Sequence, residues 1–407
     1  MIRSFSLIGA VLCILSGCFS GVPEQGNSTL ALGAVTGSMA PNLTTASDGR
    51  VVISWIEPDS TGHALRFSIL TGEGWQKART VTRGDNWFVN WADFPSVFPL
   101  SGSVWAAHWL ASQPEGGYAY DINLSFSTDD GDTWSEEFIP HQDGTPTEHG
   151  FVTLFSDTDG LGMVWLDGRK MINDYDANDV TASGMTLRAG SFQIDGSVNQ
   201  SALIDELTCD CCQTDVALSA TGPVATYRDR TTDEIRDIYV SRRIDGEWRS
   251  GTRVSNDDWE IPACPVNGPV IQAKGDDVVV TWFTAGNDQP RVMAAWSRDN
   301  GETFSSPIKV NQEAPLGHVG AALLANGDLL VGWHSRTNED GTKLLIRRVS
   351  QDGVLGAIHP ISEAHDVFAF SVPQLALYGE HVVIAWTRSV DNTYSIGTVL
   401  APIAKFN

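Results

Sequence analysis

The sequence predicts an all-β fold, a β-propeller of four-stranded antiparallel blades, from a sevenfold repeat, a constant order of strands and a specific turn. A short apolar strand ending in an aromatic residue occurs seven times, at Trp55, Trp109, Trp165, Tyr227, Trp282, Trp333 and Trp386. Consecutive aromatics lie between 51 residues (Trp282 to Trp333) and 62 residues (Trp165 to Tyr227) apart. A unit of this length forms one thin sheet, which can bury both faces only by stacking on its neighbours. Seven units therefore predict seven blades.

Each unit repeats the same order of elements. A strand of small residues, such as PNLTTA or GPVIQA, is followed by a glycine turn and a second strand such as VVISW or VVVTW. A polar loop, a third strand, a second glycine turn and a short fourth strand complete the unit. The seventh unit, from Ser371 onward, lacks an obvious fourth strand, and NSTLALGAV at residues 27–35 could supply it and close the ring. We therefore expect one propeller domain over residues 36–407, with residues 18–35 as a linker.

The turn before the fourth strand carries the most specific pattern. Residues 127–134 (STDDGDTW) and 297–304 (SRDNGETF) both fit S-x-D-x-G-x-T-[WF], and weaker versions occur at residues 71–75 and 244–248. Ser and Asp side chains can accept hydrogen bonds from the amides of their own turn, Gly tolerates a positive φ, and the aromatic can pack between sheets. Two matches at the same place in their units indicate related blades.

With these turns, the chain resembles the Asp-box, or BNR-repeat, β-propellers of the sialidase superfamily over nearly all of the sequence from Cys18 onward. The resemblance implies the fold, but this architecture serves hydrolases and plain binding proteins alike. Sialidases of that family usually have six blades, so a six-bladed ring is the alternative to seven.

The sialidase mechanism would need three arginines on a substrate carboxylate, a tyrosine nucleophile beside a glutamate, and an aspartate as acid and base. The F/Y-R-I-P motif of the family's first arginine is absent from this chain. No tyrosine stands out as a nucleophile, because Tyr227 takes a packing position that Trp occupies in the other units. Whether the protein is an enzyme therefore stays open from sequence.

The N-terminus has the pattern of a bacterial lipoprotein signal. Arg3 precedes the apolar run LIGAVLCIL, and Leu15-Ser-Gly-Cys18 places small residues before a cysteine. The run is too short to span a bilayer as a helix. We expect residues 1–17 to be a cleaved signal peptide and Cys18 to carry lipid, which would anchor the protein in the bacterial cell envelope, with the outer membrane as the default location.

The formal net charge of −24 restricts the partners. Such an acidic surface repels nucleic acid and anionic lipid headgroups, so we expect no nucleic-acid partner and membrane attachment only through the lipid. The chain is expected to be a monomer.

The predicted topology sorts polar residues onto one face. Loops between second and third strands, and segments between consecutive blades, open on the same side, which we call the polar face; the S-x-D-x-G turns lie on the opposite side. Five of the nine histidines and the four cysteines after Cys18 map to the polar face. These histidines are His141, His149, His318, His334 and His365. A ligand site there is one interpretation, and longer loops that collect polar residues by chance are the other.

Candidate residues on the polar face fall into two chemical classes. Asp93 and Glu148 are candidate acids or bases. The candidate ligand-binding residues are Asp167, Arg169, Arg228, Arg230, Arg336, Arg388, His149 and His334. Guanidinium groups bind carboxylates bidentately, so an acidic sugar or peptide carboxylate would fit. Alternatively, the arginines of YRDRTTDEIRD pair with Asp229, Asp233 and Asp237 and brace their own loop.

The stretch LTCDCCQTD holds Cys209, Cys211 and Cys212, and Cys264 follows in PACPVNGP. In an oxidising compartment these four would form two disulfides. One would link Cys264 to the C-D-C-C cysteines, and the other would close within that stretch, where tight geometry predicts a reducible bond. The alternative is a copper or zinc site that combines the thiols with His141 or His149.

The segment NDYDAND, residues 173–179, offers Asp174, Asp176 and Asp179 as oxygen donors for calcium, although the spacing is not that of an EF-hand and an ordinary solvated loop is favoured. Together, these features predict a lipid-anchored envelope propeller that binds or processes an extracytoplasmic glycan or other carboxylate-bearing ligand. The alternatives are a non-catalytic scaffold that docks a protein partner, or a copper or zinc protein.

Overall fold

A computed structural model describes residues 26–158, 160–171, 184–337, 341–362 and 366–407. These residues form seven antiparallel sheets. The predicted signal segment and Cys18 lie outside the described residues. Among the described residues, no helix has the length and apolar character needed to cross a membrane.

Each sheet is one blade, and its strands run outward from the centre of the ring. The innermost strands are Met39–Thr45 (β2), Ser96–Ser101 (β7), His149–Asp157 (β10), Asp215–Ser219 (β14), Val270–Lys274 (β19), Pro315–Leu323 (β23) and Gln374–Tyr378 (β27). The second strands are Val51–Asp59 (β3), Val104–Ser112 (β8), Gly160–Asp167 (β11), Gly222–Arg228 (β15), Asp277–Thr284 (β20), Leu329–Arg336 (β24) and His381–Val390 (β28).

The outer half of each blade follows the same order. The third strands are Gly62–Thr71 (β4), Tyr120–Ser127 (β9), Met185–Phe192 (β12), Ile238–Ile244 (β16), Arg291–Ser297 (β21), Thr342–Val349 (β25) and Thr393–Pro402 (β29). The outermost pieces are Gly74–Trp75 (β5), Arg79–Gly84 (β6), Val198–Thr208 (β13), Glu247–Trp248 (β17), Thr252–Arg253 (β18), Ile308–Lys309 (β22), Leu355–Pro360 (β26) and Ser28–Thr29 (β1). In the second blade a single bridge between Leu124 and Phe138 takes the place of the fourth strand.

The seven-bladed prediction is confirmed, and the six-bladed alternative does not apply. The innermost strands contact one another in sequence around a closed circle, and β27 contacts β2. The seventh blade has the order β27-β28-β29-β1, with Ser28 opposite Leu400. Residues from within the segment 27–35 thus provide its outer strand.

The seven repeated aromatics all lie on second strands and are buried between blades. Trp55, Trp165, Trp282, Trp333 and Tyr227 are at most 2 % exposed. Removing a large aromatic side chain from water contributes roughly 2–3 kcal/mol, so this position stabilises every junction between sheets. The repeat is therefore the recurring core residue of the ring.

The S-x-D-x-G turns make the hydrogen bonds that their residue types predict. The Gly131 amide donates to Ser127 Oγ at 2.9 Å, and the Thr133 amide donates to Asp129 Oδ1 at 2.9 Å. The turn of the fifth blade repeats both contacts at 2.8 and 2.9 Å through Ser297 and Asp299. The glycines adopt the left-handed φ of +81° and +84° that these turns require.

Candidate functional site

A central cavity of about 500 Å³ runs along the axis of the ring and is lined by the innermost strands of all seven blades. Over its polar-face end lies Trp91, from the segment before β7. Its ring centroid is 5.6 Å from that of His318 in the sixth blade and 5.4 Å from that of Phe370 before the seventh. Trp91 precedes the second blade, which is adjacent to neither the sixth nor the seventh blade. The Trp91 side chain therefore reaches across the axis of the ring. We call this end, formed by Trp91, Asp93, Gln213, His318 and Phe370, the mouth.

The mouth is held by contacts between segments that lead into different blades. Gln213 Nε2 donates to the carbonyl of Ala92 at 2.7 Å, and Gln213 Oε1 accepts from the amide of Gly268 at 3.1 Å. Phe370 is 54 % exposed, so part of an aromatic face is presented to solvent. The mouth therefore combines an exposed aromatic surface with polar groups that hydrogen bonds hold in place.

Asp93 and Glu148, the two candidate acids, are brought together by Tyr120. The Tyr120 hydroxyl lies 2.7 Å from Asp93 Oδ2 and 2.7 Å from Glu148 Oε1. Asp93 Oδ1 also accepts from the amide of Phe151 at 2.7 Å. The Phe88 ring stacks on Tyr120 with centroids 4.0 Å apart and fixes its orientation. We call Asp93, Tyr120 and Glu148 the carboxyl–tyrosine group.

Burial changes the acidity of this group. It raises the pKa of Asp93 to about 7, against the opposing hydrogen bonds from Tyr120 and the Phe151 amide. Burial, followed by the charges of Asp93 and Asp210, raises the pKa of Glu148 to about 8 although the Tyr120 hydrogen bond opposes it. A phenol has one hydrogen, so it donates to only one carboxyl at a time, and the second short contact needs a proton on the other carboxyl. Near neutral pH the group therefore holds one carboxyl protonated.

A second cluster surrounds His149 and contains Asp167 and Arg169, two of the candidate ligand-binding residues. The rings of His141 and His149 stack in parallel, with centroids 3.8 Å apart. His149 Nε2 is 3.2 Å from both carboxylate oxygens of Asp143. Arg169 donates two bonds of 2.6 Å to Asp167, and its Nη2 lies 3.1 Å from Asp143. The structure thus assembles these residues but pairs them with one another.

The arginines of the fourth blade do not face a ligand. Arg228 is 1 % exposed and donates to three backbone carbonyls, those of Asn267, Arg236 and Phe283, at 2.6–3.0 Å. Its guanidinium also lies 4.9 Å from the ring centroid of Trp259. Buried carbonyls accept these bonds and hold Arg228 in place, away from the exposed surface of the polar face.

Arg230 and Arg236 are likewise engaged within the fourth blade. Arg230 pairs with Asp210 at 3.0 Å and with Glu234 at 2.6 Å. Arg236 pairs with Glu234 at 2.9 Å and donates to the sulfur of Cys209 at 3.4 Å. The bracing interpretation thus holds for both, but the partners differ from the Asp229, Asp233 and Asp237 that sequence proximity suggested.

The remaining candidates lie in the sixth and seventh blades. Arg336 is exposed at the end of β24, and Arg388 pairs with Asp366 at 3.2 Å. His334 is fully buried with Nδ1 3.3 Å from the carbonyl of Ala369, and burial lowers its pKa to about 3. Since Arg169 and Arg228 are both engaged, they do not contribute to a set of arginines for a substrate carboxylate.

The cysteines divide into one bond and one facing pair. The expected link from Cys264 to the C-D-C-C stretch is a disulfide with Cys211, which ties the segment before β14 to the segment before β19. Cys209 and Cys212 are buried, with their sulfurs 2.9 Å apart. The pair lies within the same stretch, as the second sequence-predicted bond would require.

The possible metal ligands form separate groups. In the described part of the chain, the groups of three or more donors close enough to share an ion are Cys209 with Cys211 and Cys212, Asp121 with His141 and His149, and Asp143 with His149 and Asp167. None of these groups mixes a thiol with an imidazole, because the thiols sit beside the fourth blade and the histidines beside the third. Asp174, Asp176, Asp179 and His365 lie outside the described residues.

The fold and this face define a seven-bladed β-propeller with a polar, aromatic-edged mouth. No family model matches the sequence, and no curated protein matches it. Among solved structures, the chain is similar to the BP39L lectin from Burkholderia pseudomallei, with a TM-score of 0.61 and 9 % identity over 91 % of this chain and 97 % of the lectin. At this identity the similarity shows the fold alone.

The comparison found two further similar structures. A PL25 ulvan lyase bound to -[GlcA(1-4)Rha3S]- has a TM-score of 0.56 and 8 % identity over 92 % of this chain and 96 % of the lyase. Trypanosoma rangeli sialidase in complex with sialic acid has a TM-score of 0.48 and 12 % identity over 89 % of this chain and 60 % of the sialidase. The lectin and the lyase thus show that one framework occurs in proteins of different chemistry.

Proposed function

We propose that the protein binds an extracytoplasmic glycan at the mouth of its central cavity. The observation that carries this proposal is the aromatic surface of Trp91 and the exposed Phe370 at the end of a cavity that Asp93 and His318 help to line. Aromatic faces pack against the apolar faces of sugar rings, and carboxyl oxygens accept from sugar hydroxyls. The use of the same fold by a lectin and a polysaccharide lyase supports this choice of ligand class.

The charges favour an uncharged glycan over a carboxylate-bearing one. Among the candidate ligand-binding arginines, Arg169, Arg228, Arg230 and Arg388 are engaged by protein acceptors, which leaves the exposed Arg336 where an acidic sugar would need several cationic contacts. The net charge of −24 also repels an anionic ligand at long range. We therefore narrow the sequence-based proposal to a neutral, hydroxyl-rich glycan.

Glycan binding is tested by screening the folded protein against immobilised neutral and acidic glycans, and then titrating soluble ligands. Replacing Phe370 with Ala should weaken binding about tenfold, because it removes an exposed stacking surface without opening the core. Val354→Ala is the control, since Val354 is 69 % exposed in a turn on the opposite face. Absence of binding by the wild type, or equal affinity of Phe370→Ala, would contradict the proposal.

Acid–base processing of the glycan is a second candidate, favoured by the single proton shared in the carboxyl–tyrosine group. A protonated and an ionised carboxyl side by side are what general acid and base catalysis require. If this group acts on the ligand, Glu148→Gln should abolish release of sugar from neutral aryl glycosides while glycan binding persists. If the wild type releases no sugar, only the binding function stands.

The location remains a proposal from the sequence pattern of residues 1–18. We propose that Cys18 carries lipid and holds a monomeric propeller at the bacterial cell envelope. Growth with a labelled fatty acid should label the wild type but not Cys18→Ser, and the variant should leave the membrane fraction. Retention of label by Cys18→Ser would contradict the anchor.

A further inference from the structure

We propose that the four cysteines beside the fourth blade form a thiol–disulfide exchange centre, in which the Cys211–Cys264 bond can be transferred to the pair Cys209–Cys212. This inference is independent of glycan binding. It assigns a reaction to the buried thiol pair and to the arginines that surround it.

The geometry brings the sulfurs of Cys209, Cys211 and Cys212 close together. Cys209 Sγ lies 4.0 Å from Cys211 Sγ and 2.9 Å from Cys212 Sγ. Cys209 and Cys212 have the C-x-x-C spacing in which two thiols can close a bond across one turn. A disulfide bond is about 2.05 Å long, so a shift of about 1 Å would join this pair.

The surroundings make Cys209 the attacking sulfur. Burial alone would raise the pKa of Cys209, but the hydrogen bond with Cys212 and the charges of Arg236 and Arg228 outweigh it and lower the pKa to about 7. Arg236 donates to Cys209 at 3.4 Å and is itself held by Glu234 at 2.9 Å. A thiolate whose pKa lies near ambient pH is an effective nucleophile for disulfide exchange.

Cys212 is the resolving thiol and Cys264 the leaving group. Burial raises the pKa of Cys212, with the hydrogen bond and charge of Cys209 acting in the same direction, so Cys212 keeps its proton while Cys209 is ionised. Cys264, in contrast, is exposed at the polar face. Its sulfur can take a proton from solvent as soon as it is released.

The exchange has two balanced steps. The Cys209 thiolate attacks Cys211 Sγ, the Cys211–Cys264 bond breaks, and its electron pair leaves on Cys264, which takes a proton from solvent. Cys212 then loses its proton and attacks Cys209, the Cys209–Cys211 bond breaks, and Cys211 leaves as a thiolate that is protonated in turn. One disulfide is broken and one is formed, so the transfer needs no external oxidant or reductant.

The transfer changes what the polar face presents. Before it, a covalent bond ties the two segments that flank the fourth blade; after it, Cys211 and Cys264 are thiols and that tie is gone. The exposed Cys264 thiol would then be open to modification by a small disulfide or by a thiol-directed reagent.

The test measures labelling of Cys264 in the folded full-length chain. Protein purified without reductant is treated with a maleimide under native conditions, quenched in acid, digested, and mapped by mass spectrometry. The wild type should contain two thiols among the four cysteines after Cys18, should yield both Cys211–Cys264 and Cys209–Cys212 disulfide peptides, and should label slowly at Cys264. Labelling should accelerate between pH 6 and pH 8.

Two variants identify the nucleophile. Cys209→Ser should slow labelling of Cys264 at least tenfold, because the first step is lost, and Arg236→Gln should slow it at neutral pH while leaving all four cysteines in place. The exposed Arg298→Gln is the control for an arginine elsewhere on the propeller. Tryptophan fluorescence of each variant keeps loss of folding distinct from loss of exchange.

Three outcomes would overturn the exchange centre. Equal labelling rates in the wild type and in Cys209→Ser would show that Cys264 is released without Cys209. A count of zero thiols would mean that both bonds exist together and leave no nucleophile. A stoichiometric metal ion bound to the thiols would assign the cluster to the copper or zinc alternative instead.

Discussion

The free energy of unfolding is expected to fall as pH rises from about 6.5 to about 8. Burial raises the pKa of Asp93, Asp215 and Asp229 to about 7 and that of Glu148 to about 8. The folded state therefore keeps protons that the unfolded chain has already released. A group with a raised pKa contributes stability that is complete below its unfolded pKa and is lost as pH rises through its folded pKa.

Other groups shape the rest of the curve. Burial lowers the pKa of His108 and His334 to about 3 and that of His318 to about 4. The stability that these histidines contribute is present above pH 6.5 and is lost on acidification. Below pH 6.5 this loss opposes the gain in stability from the protonated carboxyls. The steepest fall in the free energy of unfolding is therefore expected between pH 6.5 and 8. Asp129 and Asp299, with pKa values lowered to about 2 by turn hydrogen bonds, lose theirs only below about pH 4.

Asp93→Asn isolates one part of this effect. A shift of three pKa units corresponds to about 4 kcal/mol of free energy of unfolding. Because Asp93 titrates together with Glu148, only part of this free energy belongs to Asp93 alone. The variant should therefore be more stable than the wild type by roughly 2–4 kcal/mol at pH 8 and by little at pH 5. Urea unfolding at pH 5, 6.5 and 8 measures the difference, with the exposed Asp352→Asn as control. A wild-type stability that is equal at pH 6.5 and 8, or an Asp93→Asn curve parallel to it, would be inconsistent with this expectation.

Arg228→Met should be the most destabilising single change at the polar face, by about 3–5 kcal/mol. The side chain is 1 % exposed, and three backbone carbonyls would lose their donor when it is removed. Leaving buried acceptors unsatisfied costs about 1–3 kcal/mol each, reduced where water can enter. Contact with the Trp259 ring would be lost as well.

Arg336→Met is the matched control, because Arg336 is the last residue of the second strand in the sixth blade as Arg228 is in the fourth, yet is exposed. Chemical denaturation of both variants at one pH gives the comparison. If Arg228→Met lost less than about 1 kcal/mol, the carbonyl contacts would not be structural, and a ligand role for Arg228 would be open again.

The blade count could be predicted because each blade has one large buried aromatic residue on its second strand. This aromatic residue therefore recurs at a regular spacing in the sequence. Trp333 and Tyr227 illustrate it, since both are 1 % exposed between neighbouring sheets. The polar face was also predictable, because alternating strand direction decides which loops share a side. The same topology predicted a link from Cys264 to the C-D-C-C stretch, but not that Cys211 would be its partner.

The partners within the site could not be predicted in the same way. No sequence pattern marks Tyr120 as a site residue. Its hydroxyl contacts Asp93 and Glu148, which lie 27 and 28 positions away in the chain. Arg228 is bonded to carbonyls of residues 236, 267 and 283, and a backbone carbonyl looks the same whatever residue carries it. The sequence thus located polar side chains on one face but left open which of them form hydrogen bonds or ion pairs with one another.

The two-residue strand β1 has a consequence for the order in which the ring is made. Ser28 pairs with Leu400, so the last sheet is completed by residues from opposite ends of the chain. Each of the other six sheets is made from one continuous segment, whereas the seventh needs both ends of the chain. Until β27 packs against β2, the ring is an open arc with apolar surfaces at both ends. Closure is thus a late event with a large loop entropy, and the chain is most exposed to misassociation just before it occurs.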